Sequence, residues 1–217
     1  MNHVNPTLTA SASKRNLIFD LGGVLINYDL PADTRALAAV GLPRYSEWDR
    51  HPQLRQVCDA YLNGLLPEDE FCPRLRPFAR PEATDQELLW SMIAVMGDLP
   101  KSRLDALVQL RQQHHLILLS NINERTWRYA LQQFHQAGYE PQDCFDHLFI
   151  SYQMGVAKPD AEIYRAVMRQ TGIAPADTLF LDDTQANIEA ARNLGIESWL
   201  VPMNQPEELL SRLLNAK

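Results

Sequence analysis

Cysteine is scarce in this 217-residue chain: Cys58, Cys72 and Cys144 are the only three. An odd, widely spaced set argues against a disulfide or zinc framework and points to reduced thiols in a cytoplasmic protein. There is no run of 18 apolar residues, so no membrane-spanning helix is expected. The opening MNHVNPTLTASASKR lacks an apolar stretch. It reads as a flexible leader over residues 1–14, not as a signal peptide. Positive charge is in deficit, with 20 Lys and Arg against 27 Asp and Glu and a net charge of −7. A phosphate backbone needs a basic face, so the balance argues against a nucleic-acid partner. Internal repeats and low-complexity segments are lacking too. What remains is 46% hydrophobic and 22% charged, which suits a globular protein of one large domain or a domain with an insertion.

The apolar residues gather in short continuous runs: NLIFDL (16–21), HLILLS (115–120), HLFIS (147–151), TLFLD (178–182) and ESWLV (197–201). Continuous runs, unlike alternating ones, suit strands covered by helices on both faces. Helical spacing follows. Residues 101–113 put Leu104, Leu107, Val108 and Leu110 on one side. Residues 160–171 do so with Ile163, Ala166, Val167 and Met168, and 184–194 carry Ile188, Ala191 and Leu194 before a helix-stopping Gly195. Alternating strand and helix gives an α/β fold with a Rossmann-like, mainly parallel sheet.

One interval breaks the alternation. Between the first run and HLILLS the chain is strand-poor and punctuated by Pro31, Pro43, Pro67, Pro81 and Pro100. This predicts an inserted helical cap of about four helices. The core then comprises residues 15–29 and 100–217, and the cap residues 30–99. The insertion enters at the carboxyl end of a strand, where open α/β sheets bind ligands and where a lid can act.

The strand ends carry chemistry. Asp20 follows the first and precedes Gly22-Gly23; Ser120-Asn121 end the second; Lys158 lies in GVAKPDAEIY after the third; Asp182-Asp183 end the fourth. In a parallel sheet these loops share one edge. Clustered acids repel unless a cation joins them, and hard oxygen donors favour Mg²⁺. A metal beside a Lys and a Ser makes a seat for a phosphoryl group. A free Asp oxygen can attack phosphorus in line. Plainer roles also suit single members: a turn at Asp20-Gly23, helix caps at Ser120-Asn121 and Asp183, a solvated loop at Lys158.

Taken together, FDLGGVLINYD, LLSNIN, GVAKPDAEIY and LFLDDTQANIEAARNLGI resemble the haloacid dehalogenase superfamily in its helical-cap phosphatase branch. The resemblance runs from Lys14 onward. It implies an Mg²⁺-dependent phosphatase of a small phosphorylated metabolite. Asp20 would be nucleophile and metal ligand, and the Gly22 carbonyl a further ligand. Ser120 and Asn121 would hold the phosphoryl oxygens and Lys158 would neutralise them. Asp183 would be the second acidic ligand, with Asp182 supporting it directly or from behind and Asn187 behind both.

One residue departs from that pattern. Most phosphatases of the family carry an Asp two positions after the nucleophile, as general acid; here stands Gly22. A general acid contributes roughly 10²–10⁴-fold. Three explanations are open. The leaving group needs little protonation, as in a sugar 1-phosphate; a bacterial branch with Asp-Leu-Gly here includes sugar-1-phosphate phosphatases. Or a residue in or near the cap, Tyr28, Asp29 or His51, gives the proton. Or the protein binds phospholigands without turning them over. Dehalogenases of the family carry Tyr-Gly-Thr after the nucleophile, which Gly22-Gly23-Val24 does not match. On the first explanation, Gly22→Asp should raise turnover most for poor leaving groups. The four tryptophans, Trp48, Trp90, Trp127 and Trp199, are expected to pack; substrate contact by Trp48 or Trp90, which fall in the cap, is the lesser alternative. His114-His115 is expected to be structural.

Overall fold

The computed structural model describes residues 14–215; apart from Lys14, the leader expected at 1–14 lies outside them. Five parallel strands form one sheet: β1 (Asn16–Phe19), β2 (His115–Ser120), β3 (His147–Ile150), β4 (Thr178–Asp182) and β5 (Glu197–Leu200), in the order β3-β2-β1-β4-β5. Side chains alternate between the two faces. Leu17, Phe19, Leu116, Leu118, Leu179 and Leu181 pack one way, with α5 (Lys101–Leu110), α6 (Glu124–Gln136) and α11 (Glu207–Asn215). Ile18, Ile117, Leu119 and Phe180 pack the other way, with α9 (Ala161–Thr171) and α10 (Gln185–Arg192). Both faces are dry, hence the continuous apolar runs. Helices α6 and α11 add to the three expected in the core. Trp127, Ala130 and Phe134, and Leu209 and Leu213, carry their buried stripes.

Phe19 lies opposite both Leu118 and Leu181. That register brings Asp20, Ser120 and Asp182 to one edge. After β2 and β3 the chain crosses β1 to build β4, so the crevice opens where the strand order reverses. The loop after β1 is tight: Leu25 and Ile26 N–H both donate to the Leu21 carbonyl, and Gly23 N–H to that of Ile26.

Beyond that loop come α1 (Leu30–Ala39), α2 (Pro52–Leu62), α3 (Glu68–Leu75) and α4 (Asp85–Ile93), joined by short 3₁₀ turns. They enclose a core of their own, including Leu37, Trp48, Leu54, Tyr61, Phe71, Leu75 and Leu88. Tyr61 and Phe71 stack with ring centres 3.8 Å apart. Thr84 and Glu87 cap each other's backbone N–H at the start of α4, in the reciprocal arrangement favoured at helix N-termini. The outgoing and returning chains are tied together: Asn27 N–H donates to Asp98 O, Asp29 N–H to Val95 O and Gly97 N–H to Asn27 O. Met96 and Leu99 pack into the core on the way back.

The two short helices α7 (Pro141–Cys144) and α8 (Ser151–Met154) flank β3. Cys58, Cys72 and Cys144 are free and buried. His114 Nδ1 lies 2.8 Å from Lys14 O, and His115 meets the His147 ring edge-on. Trp48 and Trp127 are buried, but Trp90 is 53% exposed and does not pack as expected. Among the described residues no helix is long and apolar enough to cross a membrane.

Candidate active site

Asp20, Ser120, Asn121, Lys158 and Asp183 all line one cavity of about 440 Å³ between the sheet edge and the cap. Asp20 and Lys158 are buried there. The Lys158 ammonium gives its three protons to Asp20 Oδ1 at 2.9 Å, Asp182 Oδ2 at 2.7 Å and Leu119 O at 2.9 Å. One oxygen from each of Asp20, Asp182 and Asp183 lies within 4.8 Å of the others.

Asp182 differs from its neighbours. It is fully buried, and both its oxygens are taken. Oδ1 accepts from Thr184 N–H at 2.8 Å and Asn187 Nδ2 at 3.0 Å, and Oδ2 from Lys158 and from Asn187 at 3.1 Å. It braces the site from behind. Asn187, expected there, is the group that holds it. Asn121 departs further from expectation: its amide is spent on the Lys158 backbone. Nδ2 donates to Lys158 O at 2.7 Å and Oδ1 accepts from Lys158 N–H at 2.8 Å. So the Asn121 side chain fixes the lysine loop. The plainer capping roles fail as well, since Asn123 caps α6 and Thr184 stands at the N-cap of α10.

Charge is out of balance in this pocket. Burial lowers the affinity of Lys158 for its proton, but Asp182 and Asp20 overcome that and hold it charged. One ammonium then faces three carboxyl groups. Burial pushes the Asp20 carboxyl up to about 8, Lys158 opposing and Asp182 and Asp183 adding to the rise. Burial and Asp182 push Asp183 up to about 6. Buried acids with an excess of negative charge suit a divalent cation bound through hard oxygens. The donor set therefore fits Mg²⁺.

The glycines fit closely. Gly23 has φ +72°, and a Cβ there would stand 2.2 Å from Asp183 Oδ2. Gly23→Ala is expected to cost about 1–2 kcal/mol in backbone strain alone and to push Asp183 aside. Calorimetric Mg²⁺ titration beside thermal denaturation checks this: metal affinity should fall more than stability does.

At Gly22 the structure shows what a sequence cannot. A Cβ there would stand 2.3 Å from Tyr28 Oη and 2.8 Å from its Cε1 and Cζ. The space for an acid is filled by a phenol, so Gly22→Asp alone cannot restore one without evicting Tyr28. Burial, then Asp20 and Asp183, hold that phenol well above its ordinary pKa. Of the other two candidate proton donors, Asp29 caps α1 by accepting from Ala32 N–H at 2.8 Å, and His51 is exposed at the start of α2. Neither lines the cavity.

Two supporting residues escape a sequence reading. Arg103 is buried and donates to Val24 O, Leu25 O, Asn27 Oδ1 and Asn204 O. Asn204, at φ 63°, in turn clamps Tyr28. The only local hint is an Arg on the apolar side of α5, beside Leu104 and Leu107.

Comparison with known proteins agrees with this geometry. Residues 14–195 match the family described as haloacid dehalogenase-like hydrolase. A D-ribitol-5-phosphate phosphatase of Bacteroides thetaiotaomicron is 30% identical over 195 residues, covering 89% of this chain and 92% of its own. A crystal structure of a haloacid dehalogenase family enzyme from the same organism superposes with a TM-score of 0.82 at 30% identity, over 92% of this chain and 98% of that one. A further structure of that enzyme, with magnesium and inorganic phosphate, gives a TM-score of 0.77 at 30% identity, over 88% of this chain and 96% of that one. The chain belongs to the haloacid dehalogenase-like hydrolases.

Proposed function

We propose that the protein is an Mg²⁺-dependent phosphatase that hydrolyses a small phosphomonoester through a phosphoryl group carried on Asp20. The observation that carries this reading is Asp20, buried beside Lys158 at 2.9 Å and open to the cavity together with Ser120 and Asp183. Asp20, Asp183 and the Gly22 carbonyl would hold the metal, with Asp182 orienting the set from behind. When bound, Mg²⁺ supplies positive charge to the phosphoryl oxygens and to the crowded carboxylates. Ser120 and the backbone of Asn121 bind the same oxygens, and Lys158 offsets their charge. Asp20 attacks phosphorus in line, and water then releases phosphate.

The cavity limits the leaving group. Lys158 is the one Lys or Arg among the residues lining it, whereas Asp33 and Asp59 lie on its cap side. A second anionic group on the substrate would meet Asp33 there, and Asp59, which Arg55 pairs at 3.1 Å, with no Lys or Arg among the cap-side lining residues. Substrates are therefore neutral apart from the phosphate, such as sugar or polyol monophosphates, with a sugar 1-phosphate among them. The similar D-ribitol-5-phosphate phosphatase, by its name, acts on a substrate of this kind. One observation favours a second reading, a non-catalytic phospholigand-binding protein: Gly22 provides no acid.

The test is phosphate release from sugar and polyol monophosphates, nucleotides, bisphosphates and an aryl phosphate, with Mg²⁺ and with a chelator. The expected result is Mg²⁺-dependent release, highest on substrates with no second anion. Binding without release from any of them would move the assignment to the second reading. Faster turnover of bisphosphates would remove the argument from cavity charge.

A further inference from the structure

Expelling an alcohol from phosphorus leaves an oxygen that needs a proton. Neither Gly22, beside the nucleophile, nor Lys158, whose protons all have acceptors, is placed to give one. The group that occupies the space over Gly22 is the Tyr28 hydroxyl, 2.3 Å from where a Cβ would stand. Asp20, Gly22 and Tyr28 line the same cavity. Two other hydroxyls of the lining are placed less well. Ser91 donates its proton to Leu88 O at 2.8 Å, and Tyr45 is 55% exposed on the cap.

Tyr28 is held from far along the chain. Its N–H donates to Asn204 Oδ1 at 2.7 Å, and its carbonyl accepts from Asn204 Nδ2 at 3.0 Å. Asn204 N–H donates to Gly23 O at 2.7 Å. One residue therefore fixes both the tyrosine and the glycine turn that follows the nucleophile. Arg103 anchors the same assembly through Asn204 O and the carbonyls of Val24 and Leu25. A phenol that only filled space would not require its backbone to be registered to the turn after the nucleophile.

We propose that Tyr28 is a catalytic residue, its phenolic O–H giving the proton to the leaving oxygen. The proposal rests on the phosphatase reading. In the first step an Asp20 oxygen forms a bond to phosphorus. The bond from phosphorus to the ester oxygen breaks, its electron pair stays on that oxygen, and the Tyr28 proton joins it to give the alcohol. In the second step water adds to phosphorus, its proton returns to the Tyr28 oxygen, and the bond from phosphorus to Asp20 breaks. Aspartate, phenol and inorganic phosphate result, with charge and protons conserved. This removes the need for an activated leaving group and lets the site act on ordinary alkyl phosphates.

The experiment is Tyr28→Phe, assayed by kcat/KM on phosphomonoesters graded by leaving-group acidity, from alkyl polyol phosphates to p-nitrophenyl phosphate. kcat/KM reports only through loss of the leaving group, so the second step does not mask the effect. The alkyl phosphates should lose roughly 10²-fold or more and the aryl phosphate little, with the melting temperature and the binding of Mg²⁺ and inorganic phosphate unchanged. Equal losses along the series, or none, would overturn the proposal while leaving the phosphatase reading intact. No release by the wild-type protein on any substrate would overturn both. Should Tyr28→Phe fold poorly, the comparison is Tyr28→Ala with Gly22→Asp/Tyr28→Ala. Recovery of alkyl turnover in the double variant supports a proton donor over position 22, and no recovery counts against it.

Discussion

Lys158→Met should be the most destabilising single change in the site. Lys158 is 3% exposed, and its ammonium bonds Asp20, Asp182 and a carbonyl. Methionine keeps much of the stem's volume and removes the charge. Asp182 is then fully buried with no cation beside it, and Asp20 is left close by. Removing one partner of a buried ion pair costs roughly 3–5 kcal/mol. For a chain of this size that is a fall of roughly 6–20 °C in Tm, at 2–4 °C per kcal/mol. Added Mg²⁺ should recover part of the loss by supplying charge to the same carboxylates. Turnover should not recover, because the phosphoryl oxygens lose their fixed cation. Thermal denaturation in chelator and in Mg²⁺, beside phosphate release, separates these effects. A fall of less than about 1 kcal/mol, as for an exposed pair, would mean that the carboxylates are not dependent on this lysine.

Much of this site is legible in the amino-acid sequence. Strands buried on both faces announce themselves by continuous apolar runs, and a parallel sheet sends their loops to one edge. That logic places Asp20, Ser120, Lys158 and Asp183 around one cavity. It fails where a side chain's partner is remote in sequence and carries no local pattern. Asn121 lines the cavity, as a sequence reading has it, but its amide is committed to the backbone of Lys158, 37 residues on. Asp182 and Asp183 look equivalent as a pair. Period-two alternation at the end of β4 sends Asp182 inward to Lys158 and Asn187 and leaves Asp183 half-exposed at the cavity. Gly22 reads as a missing acid because sequence shows the absent side chain but not what fills its volume. Tyr28 does so through a loop closed by Asn204, 176 residues away. Trp90 illustrates the converse: its place in an amphipathic cap helix suggests packing, but at 53% exposure it faces outward.

Asp20→Asn should abolish turnover while sparing the fold, and in metal-free protein it should improve stability at neutral pH and above. The asparagine keeps the shape of the side chain and can still accept from Lys158 and from Leu21 N–H, as Asp20 Oδ1 does now. It is a far poorer nucleophile towards phosphorus. Removing the catalytic nucleophile of a serine hydrolase costs roughly 10⁶-fold in kcat, so residual release above a few per cent would argue for attack by another group. The stability claim follows from the sign of the shift. The folded protein raises the Asp20 carboxyl from 3.8 to about 8, chiefly by burial. A folded state that binds the proton more tightly gains stability when that proton is present. The gain is complete below pH 3.8 and is lost as pH rises through about 8. Asparagine, uncharged throughout, has no such loss. In chelator, the melting temperature of Asp20→Asn relative to wild type should therefore climb from pH 5 to pH 9. Mg²⁺ should close the gap by stabilising the wild type alone, since the variant has lost a charged ligand. A constant difference across that range would mean that Asp20 is ionised in the metal-free fold without penalty, and that Lys158 alone balances it.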